Sequence, residues 1–214
     1  MGQFVDRAAR YQRGLSRLLQ VAIAAMLVAG LLTLNVGVVV NATAALAVTF
    51  LPAVLARDDS LRLDPKLTLW VTLAVFLHTL GMFGGYEHVW WWDHVTHTLS
   101  ATVVAAVGYA TARALDEYSD AIRFTGGFLF AFTLLFTIAL GVLWEVVEFS
   151  MRELGHLFDL EPVLVQYGLE DTVVDLVFDI VGAILVATFG TRELSDLANR
   201  LTERFERDRD TRVK

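Results

Sequence analysis

Long apolar runs separated by short polar segments dominate the chain, and each run is close to the length that crosses a bilayer. The first, Ser16–Leu34, is followed by Asn35-Val36-Gly37, which reads as a tight turn, and then by Val38–Ala56. The polar stretch Arg57–Lys66 carries Pro65, a helix-start signal, ahead of a third run over Leu67–Tyr86. A fourth covers Asp93–Leu115, a fifth Phe124–Met151 and a sixth Asp171–Phe189. About 20 apolar residues span the hydrocarbon core, whereas soluble helices break sooner or show a polar face. The pattern therefore predicts an all-α polytopic bundle of six transmembrane helices over residues 1–190. Residues 191–214 differ. Leu194, Leu197, Leu201 and Phe205 share one helical face, which predicts a C-terminal amphipathic helix laid against membrane or partner.

Charge orients the bundle. The N-terminal segment, Arg57–Lys66, Arg113–Arg123 and the tail hold 16 of the 17 Lys and Arg residues, and the opposite side holds only Arg152. Lys and Arg collect in cytoplasmic loops, so both termini are expected in the cytoplasm of a cell-membrane protein. The opening segment, basic and then apolar, has the look of a secretory signal, but it leads straight into another span. Trp90, Trp91 and Trp92 beside Tyr86 suit an interfacial aromatic belt.

Composition narrows the chemistry. With no cysteine, disulfides, zinc ribbons and thiol nucleophiles are excluded. A net charge of −7 argues against nucleic acid, which needs clustered cations. Fifteen arginines against two lysines, with many carboxylates, fit either a salt-adapted proteome or a GC-rich genome.

The acids fall into register once the spans are drawn. Asp93 and His97 are four residues apart at the outer end of the fourth span, with His94 between them. Glu145 and Glu148 lie near the outer end of the fifth. Asp171, Asp175 and Asp179 descend the sixth, with Asp179 roughly 12 Å below Asp171. Three helices thus send carboxylates and imidazoles to one level. A central Asp costs about 2.5–3.5 kcal/mol to insert, so such groups should face the bundle interior with partners. Arg152 is the only Lys or Arg on that side, so a metal, protons or a cationic ligand must neutralise the cluster. The donor set Asp93, His97, Glu145, Glu148, Asp171 and Asp175 suits a divalent metal without choosing among Zn²⁺, Mn²⁺, Fe²⁺ and Mg²⁺. Helix capping accounts for Asp93 or Asp171, and a polar network holding helices together is the plain alternative. Neither capping nor the helix dipole accounts for Glu145, Glu148, Asp175 and Asp179. His78 reads as a satisfied core histidine, His88 and His156 as solvent-facing, and Asn41 as a packing feature.

These residues resemble the pattern of the YjdF-type inner-membrane family. An aromatic-Asp-x-x-x-His element is matched by Trp92-Asp93 through His97. An aromatic-Glu-x-x-Glu-aromatic element is matched by Trp144-Glu145-Val146-Val147-Glu148-Phe149. Asp-Thr-x-x-Asp with a following Gly-Ala is matched by Asp171-Thr172, Asp175 and Gly182-Ala183. The last part is also similar, more distantly, to VanZ-like proteins, with Asp179 where they usually carry Asn. The resemblance covers roughly residues 67–190 and implies no defined reaction; the VanZ likeness hints at envelope chemistry.

Three functions follow as expectations. The first is a divalent-metal-dependent hydrolase or transferase acting on a lipid or lipid-linked substrate, with Asp93, His97, Glu145, Glu148 and Asp175 as ligands or acid/base groups. The second is a proton- or cation-coupled transporter or channel. The third is a non-catalytic assembly or partner-binding protein using the tail Glu193–Arg209.

Overall fold

The computed structural model describes residues 2–58, 63–119, 121, 123–159, 163–164 and 166–212. It consists of helices α1 (Gly2–Thr33), α2 (Val36–Leu55), α3 (Pro65–Leu80), α4 (Tyr86–His88), α5 (Trp92–Tyr118), α6 (Gly126–Phe158), α7 (Leu169–Phe189) and α8 (Thr191–Arg212), and no strand occurs among the described residues. Six stretches are long and apolar enough to cross a membrane: Asp6–Thr33, Val36–Leu55, Pro65–His88, Trp92–Tyr118, Gly126–Phe158 and Leu169–Phe189. The six predicted spans are there, several of them longer than their apolar runs. In α6 the helix continues seven residues past Met151 because Arg152 and Glu153 end the apolar run without breaking the backbone ladder.

Local signals explain the boundaries. The Asn35 side chain accepts the Val38 N–H at 2.9 Å and starts α2, after Leu34 turns the chain with φ of 57°. Asp64 accepts the Leu67 N–H at 2.8 Å, with Pro65 as the first helical residue of α3. Thr125 caps α6 by accepting the Phe128 N–H at 3.2 Å. Between α3 and α4 the chain kinks within Gly81–Gly85, where Phe83 and Gly84 leave helical geometry and Gly84 takes φ of 101°. A Cβ at Gly81 would meet the Tyr86 ring and Trp92 Nε1. Glycine there lets Tyr86 fold back towards α3.

The centre of the bundle is α5, which packs against α3, α6, α7 and α8. Its buried face is lined with small residues (Ala101, Ala105, Ala110, Ala112 and Ala114), as close helix contact in membranes requires. Gly182 of α7 touches it most closely: a Cβ there would lie 2.6 Å from the Thr98 carbonyl oxygen. The tail is helical as expected, and its apolar face lies on the bundle itself. Leu194 and Ala198 are fully buried, Phe205 meets Tyr118 edge-to-face, and Arg204 pairs with Asp58 at 2.8 Å.

Candidate functional site

At the end of the bundle opposite α8, α5, α6 and α7 bring the acids together around His97. Its Nε2 lies 3.7 Å from Asp93 Oδ1 and 3.9 Å from Asp175 Oδ2. These gaps exceed hydrogen-bond length. Its Nδ1 faces Asp179 Oδ1 at 3.3 Å. An Nδ1–H donated to Asp179 leaves the Nε2 lone pair aimed between Asp93 and Asp175, the arrangement in which an outer carboxylate orients a metal-binding histidine. Asp93, His97 and Asp175 each offer a donor atom within 4.8 Å of the others, and so do His97, Glu145 and Glu148.

The spacing fits a small divalent cation. Donors held 2.0–2.2 Å from a tetrahedral Zn²⁺ lie roughly 3.3–3.6 Å apart, so gaps of 3.7 and 3.9 Å close with slight side-chain rotation. Two carboxylate oxygens also have nothing to bond: Glu145 Oε1 and Asp175 Oδ1 are buried without a hydrogen-bond partner, in side chains whose residues are 4% and 1% exposed. Buried polar atoms are normally satisfied, and these two sit in the groups that can hold a metal.

Around the cluster the carboxylates are held in place. Thr172 donates to Glu145 Oε2 at 2.8 Å and accepts from Gln166 Nε2 at 3.2 Å. Trp144 Nε1 donates to Glu148 Oε1 at 2.9 Å, one helical turn away. Gly141 leaves room for Asp179, whose carboxylate occupies the space where a Cβ would sit. Asp171 stands apart: lying in the first turn of α7, not at its N-cap Gly168, it accepts the Tyr167 N–H through Oδ2 at 2.9 Å, and it joins neither metal-holding group. The negative field reaches the lip of the site. The Tyr167 phenol is pushed above its usual range, first by partial burial and then by Glu87, Asp171 and Asp93.

His94 is not part of the cluster. One position from Asp93, it turns to the other face of α5 and stacks on Phe178, ring centroids 4.3 Å apart. Both ring nitrogens of His78 are partnered, by Asn41 Oδ1 at 3.0 Å and the Tyr86 hydroxyl at 2.8 Å. Donor accounting fixes the direction. The Asn41 amide nitrogen donates to the Gly37 and Val163 carbonyls, both at 2.8 Å, so its oxygen faces His78. Nε2 of His78 must then carry the proton, and Tyr86 donates to Nδ1. Asn41 is thus more than packing, because it ties α2 and α3 to the α6–α7 connection. His88 and His156 are exposed, and Trp90 and Trp91 face outwards while Trp92 turns in to donate to the Leu77 carbonyl at 3.2 Å. Leu160, Glu161, Pro162 and Val165, within the segment Arg152–Glu170 that the sequence leaves open as a lid, lie outside the described residues.

The cluster forms the polar head of a cavity of about 460 Å³. Asp93, His97, Glu148, Asp179, His78 and Tyr86 line that end. Away from it the walls are apolar: Ala45 and Val48 of α2, Ala101 and Val104 of α5, and Leu140 of α6. The roles of Asp179 and Gly141 were not deducible from spacing alone. A glycine four residues before Glu145, on the same face as Thr133 and Thr137, was the available signal.

Fold and site together define a multi-pass helical membrane protein with an acidic, histidine-centred site buried among three spans. Over residues 15–196 the chain matches the family described as Predicted membrane protein (DUF2238), and it belongs to that family. An uncharacterized protein of Thermotoga maritima is 30% identical over 140 residues, covering 64% of this chain and 68% of that one. No solved structure matches the chain.

Proposed function

We propose that this protein is a divalent-metal-dependent membrane hydrolase or transferase acting on a lipid or lipid-linked substrate, with its site in the outer half of the bilayer and both termini in the cytoplasm. The observation that carries the reading is the pair of buried, unpartnered oxygens, Glu145 Oε1 and Asp175 Oδ1, in the two donor groups that share His97. Like charges this close require a cation or protons. The head of the cavity has the donors for a metal, and its apolar walls suit a substrate with a hydrocarbon part. A metal held there would polarise a phosphoryl or carbonyl oxygen and activate water. Asp93, Asp175, Glu145, Glu148 and His97 Nε2 would hold it, and Asp179 would fix the histidine ring. A carboxylate left uncoordinated among them would take the proton from the attacking nucleophile. A resemblance of Asp175, Asp179 and Gly182 to the VanZ-like pattern, with Asp179 where Asn is usual, would be in keeping with an envelope-facing role.

The test is elemental analysis of protein purified in detergent, beside an Asp93→Asn/His97→Ala variant that retains its unfolding midpoint. One or two equivalents of a divalent metal in the wild type, lost in the variant, are expected. Absence of metal from both, after re-addition of Zn²⁺, Mn²⁺ and Mg²⁺, would sink the reading and bring forward a proton- or cation-coupled transporter. The transport reading finds no polar route among the described residues. The hydroxyls of Thr137 in the cavity wall and of Thr72 and Thr133 beyond it are all bonded to carbonyls of their own helices.

A further inference from the structure

The cavity below the acids has a side entrance. On one flank Ala44, Ala45 and Val48 of α2 line it, and on the other Leu140, Gly141 and Trp144 of α6. These helices do not pack together: α2 lies against α1 and α3, and α6 against α5 and α7. The residues along the seam confirm the opening, for Val48 is 37%, Leu140 38% and Trp144 39% exposed on faces that would meet lipid. A molecule in the bilayer therefore reaches the shaft sideways, without leaving the hydrocarbon.

Resting on the metal-dependent reading of the same site, we infer that the ligand is a single-chain anionic amphiphile, entering between α2 and α6 with its chain in the shaft and its head at the acid-histidine centre. Length and volume both point to one chain. From Asp93 to Val104 is eleven residues of α5, about 16 Å of helix. An extended chain advances roughly 3.3–3.6 Å for every three bonds, so the shaft takes about fourteen bonds. The 460 Å³ volume lies in the lower part of the range of about 300–1,000 Å³ for small-molecule pockets, enough for one such chain and its head but not for two. On that reading the head is an oxyanion because it completes the coordination of the cation held by these ligands, whereas a cationic head would compete with the metal for the same carboxylates.

The experiment uses the full chain in phosphatidylcholine nanodiscs and three probes: dodecyl phosphate, dimyristoyl phosphatidate and inorganic phosphate. Two substitutions, Val48→Trp and Ala44→Phe, fill the shaft from α2 and touch no metal donor. The wild type should bind dodecyl phosphate saturably and at least tenfold more tightly than either other probe. Each substitution should weaken that binding at least tenfold while metal content and unfolding midpoint stay at the wild-type values. Wild-type affinity in both variants, or equal binding of the two-chain probe, would overturn the inference. Equal binding of inorganic phosphate would assign the site to a free anion and overturn it too. If dodecyl phosphate binds in a Val48-dependent manner to protein that holds no metal, the shaft stands and the metal reading falls.

Discussion

Asp93, His97 and Ser100 look from one face of α5 into the cavity, while His94, Thr98 and Leu99, displaced by one or two positions, look from the other face into a second hollow. This groove, between α3, α5, α7 and α8, holds about 930 Å³, twice the cavity's volume. It runs from Trp90 and Trp91 to Asp64 and Lys66, so its charged groups sit at one end. Within it Thr98 and Thr102 bond the carbonyls of Phe178 and Leu99, and among the described residues its one buried side-chain polar atom without a partner is His94 Nδ1. The cavity is smaller and is lined by carboxylates from three helices, Asp93, Glu148 and Asp179, and the two unbonded oxygens belong to Glu145 and Asp175 of the same acid cluster. Size alone would favour the groove. What separates the two hollows is leftover bonding capacity: one buried imidazole nitrogen in the groove against two carboxylate oxygens in the acid cluster at the head of the cavity.

The largest expected effect comes from driving the two faces apart from their shared partner. Gly182 lies against the Thr98 carbonyl oxygen and the Thr102 amide nitrogen, where added atoms meet backbone rather than flexible side chain. Gly182→Leu should push α7 off α5, widen the groove and carry Asp175 and Asp179 away from His97. Overpacking typically costs about 1–3 kcal/mol, and backbone contact puts this case at the upper end. A lower thermal midpoint in detergent together with lost metal is expected. A destabilised protein with full metal content would mean that α5–α7 spacing does not set the site.

A smaller and more selective effect should follow from loosening one carboxylate on the cavity side. Thr172 is the only hydroxyl bonded to Glu145 among the described residues, and Gln166 in turn orients it. Thr172→Val keeps the shape and removes the bond. Groups that orient metal ligands are worth roughly 10–100-fold in affinity, so a metal titration should weaken by that factor with little change in unfolding midpoint. An unchanged titration would remove Glu145 from the ligand set and leave Asp93, His97 and Asp175 to carry it.

Much of the cavity face was readable in the sequence, and almost none of the groove. Apolar length set the six spans and Pro65 announced one helix start, whereas Asn35-Val36-Gly37, read as a tight turn, is the N-cap and first residues of α2. Spacing put Asp93 with His97 and Glu145 with Glu148, because residues three or four apart on one helix must share a face. Rotation between helices is another matter. Nothing within α5 says that Asp179 of α7 meets His97, or that Gly141 of α6 leaves it room; those follow from small residues that let three backbones approach. The docking of α8 was hidden for the same reason. Leu194 and Ala198 mark an apolar face, but a face does not name its partner.

The smallest expected effect is the sharpest test of the two-face comparison. His94 is adjacent to Asp93 in sequence, and an imidazole beside a carboxylate cluster invites assignment as a ligand. In the fold its ring lies nearly parallel to Phe178, 6° between planes, and Trp90 meets it edge-on at 6.0 Å. Its Nδ1 is buried without a partner. His94→Phe keeps an aromatic ring in the stack and removes that atom. An unsatisfied buried polar atom costs about 1–3 kcal/mol, so the variant should be as stable as the wild type or up to about 1 kcal/mol more so once the larger ring is accommodated. Metal content should not change, since no donor on the cavity face has been touched. Equilibrium unfolding and elemental analysis on the same preparation read both quantities. Metal lost from a stable His94→Phe protein would mean that the imidazole swings round α5 to the acids, and the separation of the two faces would have to be abandoned.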